Sequence, residues 1–194
     1  MNQKTIFALI LSIPMNNNIV LDSTHFNLTI KRLCYELIEN HDDFSNSVII
    51  GLQPRGIFLA KRLEIELNKI NPNIKPKVGK LDITFYRDDF RRRDMPINAN
   101  ETEINFIIEE KNVILVDDVF YTGRSLRSGL DAMLAFGRPN KVEMLTLIER
   151  KYSRDYPLQP DYIGKSVDSL SSQRVEVDWK ETSGKDLVKL YTIK

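Results

Sequence analysis

The sequence predicts an α/β fold with a mainly parallel central sheet and helices on both faces. Three observations carry this reading. Strand-like apolar runs alternate along the chain with segments whose apolar residues recur every three or four positions. Val48-Ile49-Ile50-Gly51 and Val113-Ile114-Leu115-Val116 are apolar throughout, as strands buried on both faces of a parallel sheet are. The second run passes through Asp117-Asp118-Val119-Phe120 and the turn Tyr121-Thr122-Gly123-Arg124-Ser125 straight into another helical pattern, the order found in crossover-connected sheets.

The chain has 194 residues, enough for one domain with a sizeable core. A formal net charge of +1 gives no argument for nonspecific nucleic-acid binding and leaves only a local patch open. The single cysteine, Cys34, excludes an internal disulfide and a cysteine-rich metal site, and reads as a small buried apolar residue. Ile6-Phe7-Ala8-Leu9-Ile10-Leu11-Ser12-Ile13-Pro14 is too short to span a bilayer and is followed by polar Asn16-Asn17-Asn18 rather than a cleavage site. Residues 1–14 therefore read as a nonfunctional extension or a misassigned start before Met15, with a secretory signal as the alternative. Residues 15–194 read as one cytoplasmic domain without a membrane segment.

Taken in order, Asp22, Ser23 or Thr24 caps a first helix whose inner face is Phe26, Ile30, Leu33 and Leu37, and His41-Asp42-Asp43 ends it. The Val48 strand follows, then the turn Gln53-Pro54-Arg55-Gly56, then a helix over 57–68 that Asn71-Pro72-Asn73 breaks. Residues 78–86 read as a strand, with Leu81, Ile83 and Phe85 alternating. Arg91-Arg92-Arg93 through Glu109 reads as a long loop, with room for a two-strand ribbon, and loops of this length in compact domains are functional or disordered. The helix after Ser125 places Leu126, Leu130, Met133 and Leu134 on one face, and Gly137-Arg138-Pro139 stops it. Strands are then expected over 142–148, 162–164, 174–178 and 187–193.

Ligands of such sheets sit beyond the carboxyl ends of the strands, so 53–56, Arg87-Asp88 and 117–125 should converge on one crevice. A strand that runs directly into a helix leaves backbone N–H groups free to meet an anion. The adjacent carboxylates can accept hydrogen bonds from vicinal hydroxyls or reach a magnesium ion through water. Phosphate, sugar and metal at one turn suggest a sugar-phosphate substrate.

The stretch from Val113 to Ser125 resembles the phosphoribosyl-pyrophosphate (PRPP) motif of type I phosphoribosyltransferases: an apolar run, two acids, two apolar residues, one variable residue, Thr-Gly, one residue, and Ser or Thr. Residues 51–60, 78–89 and 161–165 resemble the PyrR family of pyrimidine operon regulatory proteins with uracil phosphoribosyltransferase activity, and the resemblance covers nearly the whole chain after the first fourteen residues. It implies the type I fold with a flexible lid loop and a small hood. The implied reaction converts PRPP and uracil to UMP and diphosphate with Mg2+ bound alongside PRPP. Asp117 and Asp118 would take the ribose hydroxyls; Tyr121, Thr122, Gly123, Arg124 and Ser125 the 5-phosphate; Gln53, Pro54, Arg55, Gly56 and Arg87 the pyrophosphate. Arg55, Arg87, Asp117 and Asp118 form the catalytic set. The metal is held mainly through PRPP and water, with Asp88, Asp117 and Asp118 as protein candidates, and Asp88 or Asp89 would orient an arginine or a metal-bound water. Tyrosine at 121, where purine-using relatives place an acid, argues for a pyrimidine. Uracil itself would be read by Tyr162, Ile163, Gly164 and Val177. The resemblance also suggests a cis Gln53–Pro54 peptide, which proline makes affordable, at about 0.5–1 kcal/mol against about 2.5–4 before other residues.

Three readings stay open: a uracil enzyme that also regulates pyrimidine genes, an attenuator that binds pyrimidine-operon mRNA with minor catalysis, and a transferase for another base. The second needs several phosphate contacts, for which the chain offers Lys31, Arg32, Arg150, Lys151, Arg154 and Lys165. A homo-oligomer, dimer or higher, is expected.

Overall fold

The structure is a computed structural model that describes residues 18–88 and 99–192. Strand β1 (Asn18–Leu21) leads into helix α1 (Ser23–His41). Asp22 is the cap: its side chain accepts from the His25 N–H at 2.8 Å. The expected inner face of α1, with Cys34, is buried. Burying each of these large apolar side chains contributes roughly 1.5–3 kcal/mol, which is what fastens α1 to the sheet.

Strand β2 (Ser47–Leu52), helix α2 (Gly56–Ile70), β3 (Lys77–Leu81), β4 (Asn112–Phe120), helix α3 (Arg124–Met133), β5 (Lys141–Arg150) and β6 (Tyr162–Val167) follow. The five strands form a parallel sheet in the order β3-β2-β4-β5-β6. Strand alternation sorts two cores. Ile49, Ile114 and Val116 pack with the α1 and α2 residues Leu33, Leu37, Leu59 and Leu63, whereas Val48, Ile50, Val113 and Leu115 pack with Leu126 and Met133 of α3. Helices thus cover both faces, as the sequence predicts. Chain order reverses between β2 and β4, and the crevice of such a sheet lies at that switch point.

A smaller antiparallel sheet, in the order β1-β8-β7, joins β1 to the hairpin of β7 (Gln173–Asp178) and β8 (Leu187–Thr192), with the one-turn helix α4 (Lys180–Ser183) between them. This is the hood. Trp179 locks it down, stacking on Phe58 of α2 at 5.8 Å and meeting Phe26 of α1 edge-on at 5.2 Å. Arg62 of α2 reinforces the joint by donating to Glu181 at 2.7 Å and to Asp186 at 2.6 Å.

Three expectations change. The strand over 78–86 ends at Leu81, because Asp82 turns the chain: its carboxylate accepts from the Thr84 N–H and hydroxyl and from the Asn100 N–H. Phe85 and Tyr86 then lie in a 3-10 turn (Thr84–Tyr86) and are exposed. Residues 99–109 of the long loop are anchored rather than free. Lys80 and Glu103 exchange backbone hydrogen bonds at 2.9 Å across the β3 edge, Ile108 is buried, and Ile104 and Phe106 pack on the α3-side core. Among the described residues the loop pairs through this bridge to β3, and the remainder of the expected lid, with Asp89 and Arg91-Arg92-Arg93, falls outside the described residues. Finally, Leu134 is exposed: α3 tightens into a 3-10 turn (Leu134–Phe136) and Ala132 takes the inward position.

Candidate active site

Gly56 explains why the loops after β2 and β4 meet. A Cβ there would lie 2.1 Å from the Val116 carbonyl oxygen, so only glycine lets the start of α2 press against β4 at the level of Asp117. The turn Gln53-Pro54-Arg55 is thereby held against the two acids. The Gln53–Pro54 peptide is cis, as the resemblance suggested. The Gln53 side chain donates to the Glu101 carbonyl, fastening this loop to the segment that follows Asn100.

Asp117 and Asp118 are the sixth and seventh residues of β4, so their side chains take opposite faces at the strand's carboxyl end. Asp117 accepts from the Asp118 N–H at 2.9 Å. Asp118 is buried, and its Oδ2 faces Arg55 Nε at 3.0 Å without an aligned hydrogen bond. The same guanidinium donates from Nη2 to the Val177 carbonyl in the hood at 2.6 Å. Burial pushes both carboxyls above the usual range, Asp117 well above it because Asp118 adds a like charge; Arg87 and Arg55 pull Asp117 back, and Arg55 pulls Asp118 back.

Beyond β4, Arg87 and residues 119–126 line a hollow of about 170 Å³. Gly123 caps α3 with φ +88°, and the first intrahelical bond runs from the Arg127 N–H to the Gly123 carbonyl, which leaves the preceding N–H groups of Ser125 and Leu126 at the rim. The turn is braced from behind: the N–H groups of Asp155 and Tyr156 donate to the Thr122 carbonyl at 2.9 and 3.2 Å. The Arg124 side chain is committed to scaffolding, donating from Nε to Asp155 at 2.8 Å and from Nη1 to Asp88. Asp88 therefore orients Arg124. The Arg124 N–H turns to the Thr122 hydroxyl at 3.5 Å, so the N–H groups of Ser125 and Leu126 are the ones placed to meet an anion.

The structure does not gather the four residues expected to read uracil. Val177 belongs to the crevice through its carbonyl. Tyr162 starts β6 and lies at the opposite end of the sheet, where its hydroxyl donates to Glu143 at 3.2 Å and stands 3.1 Å from His41 Nε2. Arg32 of α1 occupies the carbonyls of Ile163 and Gly164 at 2.9 and 2.6 Å, and Gly164 abuts Thr29. The bases considered for RNA are also largely engaged. Besides Arg32, Lys165 donates to the Val20 carbonyl at 2.9 Å, Arg154 to Glu149 at 2.5 Å and to the Arg150 carbonyl at 2.7 Å, and Arg150 is buried.

Sequence reasoning missed the braces: Asp155 and Tyr156 behind Thr122, and Arg154, which caps the Tyr121 carbonyl and lies 4.5 Å over the Phe120 ring. The adjacent Arg154-Asp155 pair was a usable signal, although the sequence offers Arg154 as a phosphate contact for RNA.

Comparison with known proteins accords with this geometry. The phosphoribosyl transferase domain family matches residues 16–182. The "Bifunctional protein PyrR" of Desulfosudis oleivorans is 42% identical over 173 residues, 89% of this chain and 95% of that protein. The chain belongs to the PyrR family of phosphoribosyltransferases. The PyrR protein of Bacillus mycoides is 36% identical over 177 residues, with 89% and 96% of the two chains covered. Among solved structures, a hypoxanthine phosphoribosyltransferase from Staphylococcus aureus superposes with a TM-score of 0.66 at 17% identity, covering 100% of this chain and 98% of its own. The Trypanosoma cruzi hypoxanthine enzyme gives the same TM-score at 15% identity, covering 90% and 97%. At these identities the two structures establish the shared fold, while membership of the PyrR family rests on the closer sequence relatives.

Proposed function

We propose that this PyrR-family chain is a uracil phosphoribosyltransferase that joins uracil to the ribose 5-phosphate of PRPP, giving UMP and diphosphate. The observation that carries this is the meeting of an acid pair, an anion hollow and two arginines at the switch point of the sheet. Bond breaking at ribose C1 leaves positive character on the sugar and negative charge on the departing diphosphate. The Thr122–Ser125 turn binds the 5-phosphate. Asp117 and Asp118 accept from the ribose hydroxyls and place negative charge beside the cationic sugar. Arg55 and Arg87 draw off the charge of the leaving group, and the loop from Gln53 to Gly56 borders it.

The donor set suits a magnesium ion carried by its substrate. Asp118 Oδ2 is buried without a hydrogen-bond donor, while no three His, Cys, Asp or Glu side chains gather as a metal group among the described residues. Asp117 and Asp118 would meet the ion through water or ribose oxygens. When bound, Mg2+ neutralises diphosphate charge.

Tyr121 and the PyrR relatives support a pyrimidine over a purine. A PRPP-dependent assay across uracil, orotate, hypoxanthine, guanine and adenine tests this: uracil should turn over fastest. The relatives' name, bifunctional, supports a second role in regulating pyrimidine genes through operon mRNA. The internal engagement of Arg32, Arg150, Arg154 and Lys165 leaves Lys31, and Lys151 beside Asp168 at 3.7 Å, as the candidates for phosphate contacts. Binding to the leader RNA should then weaken only shallowly with salt. Among the described residues no helix is long and apolar enough to cross a membrane, in keeping with a cytoplasmic enzyme. The exposed side chains of Ile107, Leu134 and Phe136 are in keeping with self-association.

A further inference from the structure

Arg150 ends β5, and its side chain is buried among groups that belong to two different walls of the crevice. On one side its guanidinium carbon lies 3.6 Å from the centroid of the Tyr121 ring, the first residue of the phosphate turn. On the other, Nε donates to the Ser169 hydroxyl at 2.9 Å, and Nη2 donates to the carbonyls of Leu170 at 3.2 Å and Gln173 at 2.7 Å. These three residues form the connection from β6 into β7, the strand through which Val177 meets Arg55. Among the described residues no carboxylate pairs with Arg150. A buried cation without a counter-ion is costly, and here carbonyl dipoles and one aromatic face are what offset it. Only a flat guanidinium can stack on a ring and satisfy a hydroxyl and two carbonyls at its edge.

We propose that Arg150 is a positioning residue that fastens the phosphate turn to the hood through Tyr121. The inference rests on the PRPP reading of the turn. Filling the 5-phosphate hollow then steadies the wall that carries Val177, and disturbing the hood connection loosens the phosphate turn.

Ribose 5-phosphate binding, measured by calorimetry on the full chain, tests this, with the fluorescence of the sole tryptophan, Trp179, reporting folding. Tyr121→Phe, which keeps the ring and removes only the hydroxyl, is the reference against which loss of the stack is read. Arg150→Met and Arg150→Lys should each bind at least tenfold more weakly, the lysine supplying charge without the stack. Tyr121→Leu, which removes the stack and leaves the hood bonds intact, should match Arg150→Met, and the double variant should be no more than threefold worse than either. In transfer assays the KM for PRPP should rise more than tenfold while kcat changes less than threefold. Failure of the unsubstituted protein to bind ribose 5-phosphate overturns the PRPP site and this proposal with it. If that protein binds, wild-type affinity in Arg150→Met, full rescue by Arg150→Lys, or additive losses in the double variant overturn the positioning role alone. Should Arg150→Met not fold, Tyr121→Leu decides: affinity equal to that of Tyr121→Phe overturns the proposal, and a tenfold loss supports it.

Discussion

Arg55 Nε stands 3.0 Å from Asp118 Oδ2, across the switch point from the loop after β2 to the end of β4. The contact places a positive charge beside a buried carboxylate oxygen that has no hydrogen-bond donor, and the other end of the guanidinium holds the hood through Val177. One side chain therefore links the pyrophosphate loop, the ribose acids and the roof. Arg55→Ala should lower kcat/KM for PRPP by about 10²–10³-fold, the scale of losing one preorganised charge partner. Steady-state kinetics with PRPP varied checks this.

Asp117 and Asp118 have a cost when the site is empty. Their folded pKa values lie above the unfolded ones, so the folded state holds protons that the unfolded state has already released. The resulting stability is complete at pH below the unfolded carboxylate range near 3.8 and is lost as pH rises through the raised folded values. Asp117→Asn should therefore raise the Tm of the ligand-free protein near neutral pH, and flatten this pH dependence, while reducing transfer. Thermal melts at acidic and at neutral pH check the sign.

Gly56→Ala should destabilise the protein by about 3 kcal/mol or more, above ordinary overpacking, because the clash is with backbone at 2.1 Å. Gly123→Ala, whose Cβ would meet Tyr156 at 3.3 Å with φ +88°, should cost about 1–2 kcal/mol from strain. Urea unfolding of the two variants separates them.

At the far end of the sheet, burial holds His41 below its ordinary value of 6.5, although Glu143 and Asp42 favour the charged ring; Lys141 opposes it. His41 Nδ1 lies 2.8 Å from the Ser47 hydroxyl, and Nε2 faces Tyr162 and Glu143, each at 3.1 Å. A histidine with a depressed folded pKa contributes stability that is present above 6.5 and lost as pH falls through the folded value. His41→Phe should cost about 1–3 kcal/mol at pH 7.5 by leaving buried polar groups unpaired, and less at pH 5.5. Denaturant melts at both pH values measure the difference.

Sequence legibility followed the range of the interactions involved. The parallel strands, α1, α2, α3 and the Asp117–Ser125 turn were legible because periodicity, caps and a run of adjacent residues encode them locally. The crevice was legible as a convergence of strand ends. The Leu81 terminus was not, because it depends on Asp82 reaching Asn100 and Thr102, about twenty residues on. The position of Tyr162 was not legible for a similar reason: it looks like a strand-end residue near a ligand, but it begins β6 and so lies at the opposite end of the sheet from Asp117. The braces Arg150, Arg154 and Asp155 act across the fold, and composition alone makes them resemble surface charge.

The most direct measurement is the PRPP- and Mg2+-dependent conversion of labelled uracil to UMP, run beside guanine and hypoxanthine and with Asp118→Asn as control. The account predicts UMP and diphosphate in equal amounts from uracil, little product from the purines, and a loss of about 10²-fold or more in the control. Turnover of a purine with none of uracil, or undiminished uracil turnover in Asp118→Asn, would contradict it.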